Sequence, residues 1–161
     1  MIYRNVNSLS TVNASYLAGL IDGEGTVTLT RLSKNRQRGL AVTISNTERA
    51  ILDHVLRVVG VGKITNKRRS RANHTPSYTF QIANRQALDL LRQVRPFLRS
   101  HKSERAKLAA REYLRLTPRN GRYTAQQLLQ RQVFVKQFFD IRPSEATGRP
   151  RPTIVSPAIL K

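Results

Sequence analysis

Cysteine is absent, histidine occurs three times, and acids are scarce: nine Asp and Glu stand against 29 Lys and Arg in 161 residues. The first absence excludes disulfides and thiolate metal sites and leaves the redox compartment undetermined. The scattered His54, His74 and His101 make no zinc constellation. No apolar run approaches the roughly 20 residues of a spanning helix, and the N-terminal MIYRNVNSLSTV lacks a signal-peptide pattern. The shortage of acid leaves a formal net charge of +20. Such a charge says little about fold and much about partners: nucleic acid or an anionic membrane. Helical patterns that turn their apolar faces to a core speak against the membrane. Arginine exceeds lysine, which suits phosphate and guanine edges; GC-rich coding or a warm-growing source accounts for that excess equally well.

What is present is a repeated order of elements. Leu17, Leu20 and Ile21 fall at helical spacing with Ala14 and Ala18 four apart. Asn13 or Ser15 is placed to cap this helix, and Gly23 and Gly25 to stop it. In residues 26–32, Val27 and Leu29 alternate with Thr26, Thr28 and Thr30; after a polar loop, Leu40, Val42 and Ile44 alternate with Ala41, Thr43 and Ser45. This period of two predicts a half-buried hairpin. Residues 46–59 read as a helix opened by a Ser45–Glu48 capping box. The pattern then recurs: strand 63–69, a loop, a strand with Tyr78, Phe80 and Ile82 on one face, and a helix capped by Asn84 that ends near Pro96. Two more helices are expected, near 102–116 and 124–139. Residues 1–140 thus form one domain, and 141–161, with four of the seven prolines, a Pro/Arg-rich C-terminal tail.

The strand faces without large apolar residues gather Thr26, Thr28, Thr30, Thr43, Lys63, Thr65, Lys67, Thr79 and Gln81, and the hairpin loops add Lys34, Arg36, Arg38 and Arg69. None is acidic. Threonine and glutamine meet base edges and the cations meet phosphate, so a twisted sheet with this face suits a DNA major groove. Threonine is also a good strand former; the clustered, uncompensated cations at the loop tips favour nucleic acid.

Two of the scarce acids, Asp22 and Glu24, sit in LAGLIDGEG, residues 17–25. Gly19 and Gly23 are spaced as Gly-x-x-x-Gly, which lets two helix backbones approach closely. The stretch resembles the signature of the LAGLIDADG homing endonucleases at seven of its nine positions, with Gly23 for Ala and Glu24 for Asp. The order of helices and hairpins is similar to that family's over nearly the whole chain. The resemblance implies an α+β, αββαββα fold with an antiparallel saddle-shaped sheet and C-terminal helices.

It also implies an activity. With one copy of the motif, the family pattern is a homodimer, its two motif helices packed at the two-fold axis through Ala18, Gly19 and Asp22. Two Glu24 carboxylates then meet at two negative helix ends, and oxygen donors favour Mg²⁺, or Mn²⁺. The implied function is an intron-encoded, site-specific double-strand DNA endonuclease that leaves 3′ overhangs at a long, near-palindromic site. Glu24 and the Gly23 carbonyl are the implied metal ligands, and Asp22 supports them by hydrogen bonds near the helix end or across the dimer. Asn46 matches a family position that binds active-site water, or else caps the next helix. Lys102 matches a lysine near the cut phosphate, or else is a solvated helix-start lysine, with Arg99 and His101 as neighbours in register. Two alternatives remain: an RNA-splicing maturase of the same family and a non-catalytic DNA-binding regulator. Location is open between the cytoplasm of a prokaryote or archaeon and an organelle.

Overall fold

The computed structural model describes residues 4–31, 36–66, 75–119 and 121–143. Lys34, Lys67, Arg69 and His74 lie outside them, as do residues 144–161 of the expected tail.

Helix α1 (Thr11–Glu24) runs directly into strand β1 (Gly25–Thr30), which pairs with β2 (Gly39–Asn46). Helix α2 (Arg49–Val59), strands β3 (Lys63–Asn66) and β4 (Tyr78–Ala83), and helix α3 (Asn84–Val94) follow. A 3-10 turn (Arg95–Phe97) leads to α4 (Lys102–Glu112) and then α5 (Ala125–Asp140). The sheet is antiparallel in the order β1-β2-β4-β3. It is the α+β arrangement that the sequence predicts.

Burial explains the register. Val27, Leu29, Leu40, Val42, Ile44, Phe80 and Ile82 are buried on the helix-facing side, against Leu17, Ile21, Leu52, Val55, Leu88 and Leu91. A slip of one residue would turn every one of these outward. The same register aligns Thr26, Thr43, Gln81 and Lys63 in one row across four strands on the other face, with Ser45, Thr79 and Thr65 in the next row.

Four local expectations are corrected. Ser10, not Asn13 or Ser15, caps α1: its Oγ accepts from the Asn13 amide at 3.2 Å. The Ser45–Glu48 capping box does not form, because Ser45 stays in β2 and shares a 2.9 Å hydrogen bond with Thr79 across the strands. Helix α2 therefore starts at Arg49, three residues later than expected. Asn84 is not a cap but the first residue of α3, at φ 55°, where asparagine is tolerated. Its Oδ1 accepts from the Tyr113 hydroxyl at 3.1 Å, and that hydroxyl accepts from the Leu40 amide. This chain of bonds fixes the start of β2 and of α3 against the end of α4.

Arg131 of α5 is buried at 1 % exposure. Its guanidinium donates to Leu116 O and Thr117 Oγ1, each at 2.7 Å, and to Arg38 O. It ties α5 to the turn after α4 and to the start of β2.

Candidate active site

Helix α1 is apolar on both sides, which a single buried stripe does not require. Ala14, Leu17, Ala18 and Ile21 face the core, while Val12, at 78 % exposure, and Tyr16, at 43 %, face outward with Gly19 and Gly23. Ala18 is completely buried within its own chain. It is thus removed from the expected contact stripe, because it shares the inner side with Leu17 and Ile21. Tyr16 packs edge-on against His54, with centroids 5.6 Å apart.

The three glycines of the motif differ in kind. A Cβ on Gly25 would lie 2.6 Å from Ile21 Cα and 2.8 Å from Ile21 O, so the direct passage from helix to strand needs glycine there. A Cβ on Gly19 or Gly23 would meet nothing within 4 Å. The fold of one chain gives neither of these a steric reason, although Gly19, in the interior of α1, costs about 1 kcal/mol relative to alanine.

The carboxylates at the end of α1 also differ. Asp22 accepts from Arg99 N at 2.7 Å, Ser100 N at 3.3 Å and Ser100 Oγ at 2.5 Å. Burial pushes its pKa up, but these bonds and nearby Lys102 outweigh it and leave the carboxyl below its ordinary value. Of its two expected places, Asp22 takes the one near the helix end, holding the turn before α4. Glu24 is exposed and accepts no hydrogen bond among the described residues. One side chain of this pair fastens the fold and the other is free to take a ligand.

Lys102, the first residue of α4, reaches back to the same helix end. Its Nζ donates to Ile21 O at 2.7 Å and Asp22 O at 2.9 Å, a cation on the negative end of the helix. Burial lowers its pKa while Asp22 and Glu24 pull it up. An ammonium has three donors, and two are used here. Next to it, His101 has its pKa lowered by burial and then by Arg105 and Lys102. Ser100 was not anticipated from sequence; Arg105, which bonds Val27 O and Ile141 O and covers the Phe138 ring, was not either. The only local signal was the run Arg99-Ser100-His101-Lys102 between two helices.

The remaining expected residues divide. Thr26, Thr28, Thr30, Thr43, Lys63, Thr65, Thr79 and Gln81 share the face away from the helices, and Arg36 is exposed beside it. Arg38 does not reach out: it donates to Leu29 O at 3.1 Å and lies over the Phe139 ring. Asn46 belongs by alternation to the opposite face from Ser45, and its Oδ1 accepts from Glu48 N at 2.8 Å, a local turn before α2. Arg49 pairs with Asp53 and stacks on Tyr78.

Among the described residues no helix is long and apolar enough to cross a membrane, and no three His, Cys, Asp or Glu gather to hold a metal. No curated protein matches the chain. Solved structures do. The homing endonuclease I-CvuI, in complex with its target in the presence of Ca, aligns over 87 % of this chain and 85 % of its own, at 19 % identity and a TM-score of 0.64. The archaeal intron-encoded homing endonuclease I-Vdi141I, complexed with DNA, aligns over 81 % and 84 %, at 16 % and 0.55. The homing endonuclease I-TnaI aligns over 80 % and 97 %, at 20 % and 0.53. At these identities the likeness is one of fold. The family model of the LAGLIDADG-like domain matches residues 11–96, from the start of α1 to the turn after α3, and the chain belongs to the LAGLIDADG family.

Proposed function

We propose that the chain is one subunit of a homodimeric, divalent-metal-dependent, site-specific double-strand DNA endonuclease. The observation that carries this reading is the outer side of α1: an exposed stripe, smoothed by two glycines that the subunit itself does not need, ends at the unpaired Glu24. A second copy of the stripe is the partner such a surface fits, and the two-fold pairing brings two Glu24 carboxylates together at two helix C-termini. Two-fold pairing would set a second Glu24 carboxylate and a second Gly23 carbonyl beside the first, doubling the oxygen donors at the seam.

The residues fit a hard cation. Glu24 and the Gly23 carbonyl supply oxygen, and neither sulfur nor clustered imidazole is near, which favours Mg²⁺ or Mn²⁺. When bound, such an ion lowers the pKa of a water and stabilises charge on a phosphodiester. The chain's own residues do the rest. Lys102, with one N–H left beyond its two carbonyl bonds, would meet the scissile phosphate, and the Asp22–Ser100 bonds hold the start of α4 that carries it. The row Thr26, Thr43, Gln81 and Lys63 offers hydroxyls, an amide and a cation to a duplex lying along the sheet. Two subunits on one axis require a long, near-palindromic target, and cuts across the minor groove leave 3′ overhangs, as the family pattern implies.

The test is cleavage of a randomised duplex library by the purified protein with Mg²⁺, beside the Glu24→Gln variant. Cuts at one partly palindromic sequence, abolished in the variant with binding retained, are expected. Tight binding without cutting by either protein would replace this reading with a maturase or regulator.

A further inference from the structure

Beyond the end of β1, an open groove of about 1100 Å³ lies between the sheet and the segment joining α4 to α5. Its lining contains five arginines and no acid. Arg85 and Arg119 come from elements outside the sheet; Arg131 forms the wall from below. Among the described residues none of the five has a carboxylate partner. Nine acids serve the entire chain, yet five cations here take none.

Arg131 is the second observation. It is 1 % exposed and, among the described residues, is held by carbonyls, a hydroxyl and the faces of Tyr113 and Tyr123, with its Nε buried and lacking a hydrogen-bond partner. A buried cation without a counter-ion is costly. Low-dielectric surroundings project its field into the adjoining groove. An anion lodged there would supply the missing charge.

The groove is also in line with the sheet. Thr30, Gln81 and Ala83 line it, and by strand alternation they belong to the polar face that carries Thr26 and Thr43. A duplex on that face would pass over the groove as it leaves the sheet. We infer that this arginine groove is a phosphate-binding site, and that it grips the backbone of the duplex outside the stretch read by the sheet, independently of sequence. The inference rests on the proposed nucleic-acid reading. It assigns Arg85 and Arg119 to positioning the duplex rather than to base recognition.

The experiment measures binding of a long mixed-sequence duplex by fluorescence anisotropy between about 50 and 200 mM salt. Wild type is compared with R85A/R119A and with R57A/R92A, which removes equal charge from exposed positions on α2 and α3. The groove variant should lower the slope of log affinity against log salt by about 1–2, roughly one per phosphate contact. The control pair should change it little, and circular dichroism should report the same fold for all three. Equal slopes in the two variants would overturn the inference. Calorimetric binding of inorganic pyrophosphate that is lost in R85A/R119A, with the duplex slope intact, would also overturn it, and would assign the groove to a free phosphate compound. Failure of the wild type to bind duplex at all would instead defeat the proposed function.

Discussion

Gly19→Ala should change the two states of this protein in opposite directions. In the single subunit the new Cβ meets nothing within 4 Å, so only the helix term acts. Alanine in place of glycine inside a helix is worth about 1 kcal/mol, which for a domain of this size raises Tm by roughly 2–4 °C. In a dimer packed on the exposed stripe, the same methyl is inserted twice at a close backbone contact. Overpacking of this kind costs about 1–3 kcal/mol per site, and about 1.4 kcal/mol is a factor of ten in Kd. Two sites therefore weaken association by about 30-fold or more, even at the low end of that range. Sedimentation equilibrium over a dilution series gives the dimer Kd. Thermal unfolding at dilutions where both proteins are monomeric gives the subunit term. A Gly19→Ala protein that dimerises within twofold of wild type would refute the assignment of this stripe to the subunit contact. A fall in monomer Tm would refute the claim that the space beside Gly19 is open.

Gly25→Ala should behave differently, because its Cβ would press on the α1 backbone at 2.6 Å; a loss of about 1–3 kcal/mol by urea unfolding is expected at any protein concentration. Asp22→Asn should destabilise the subunit at neutral pH but not in strong acid. The folded pKa of Asp22 is depressed, so its contribution is complete above the unfolded value of about 3.9 and is lost as pH falls through the folded value. Wild-type and variant denaturation midpoints should converge on acidification; a gap that stays constant with pH would contradict the hydrogen-bonding role. Lys102→Ala should lower cleavage of a target duplex much more than affinity for it, measured as separate cleavage and binding titrations. Equal losses in both would reduce Lys102 to a capping group for α1.

The order of elements was legible because each strand carries its own period: TVTLT, LAVTIS and TFQI alternate without interruption, and the large apolar residues of the sheet are buried on one face. The helix boundaries were less legible. Ser45 and Glu48 have the spacing of a cap, but the pairing of Ser45 with Thr79, 34 residues away, keeps that stretch in the sheet. Ala18 was assigned to the wrong side of α1 because the helix is apolar on both, and composition alone does not say which side a core occupies. Asp22 and Lys102 stand out in the sequence as candidate site residues, yet the partners they bond are 77 to 81 residues distant in the chain. Local sequence carries no mark of such contacts. The arginine groove was invisible for the same reason, as its cations come from a loop, from α3, from the α4–α5 connection and from α5.

No loop separates α1 from β1: the last turn of the helix hands the chain to the strand through Gly25. The sheet is therefore yoked to the helix, and cannot swing without it. In a two-fold assembly seated on α1, the crossing angle of the two helices would set how far apart, and at what tilt, the two sheets present themselves. The spacing between the halves of a palindromic target would then be a property of the subunit seam rather than of the residues that meet the bases. A change of recognised bases would be made on the strands, and a change of target length at Gly19 and Gly23.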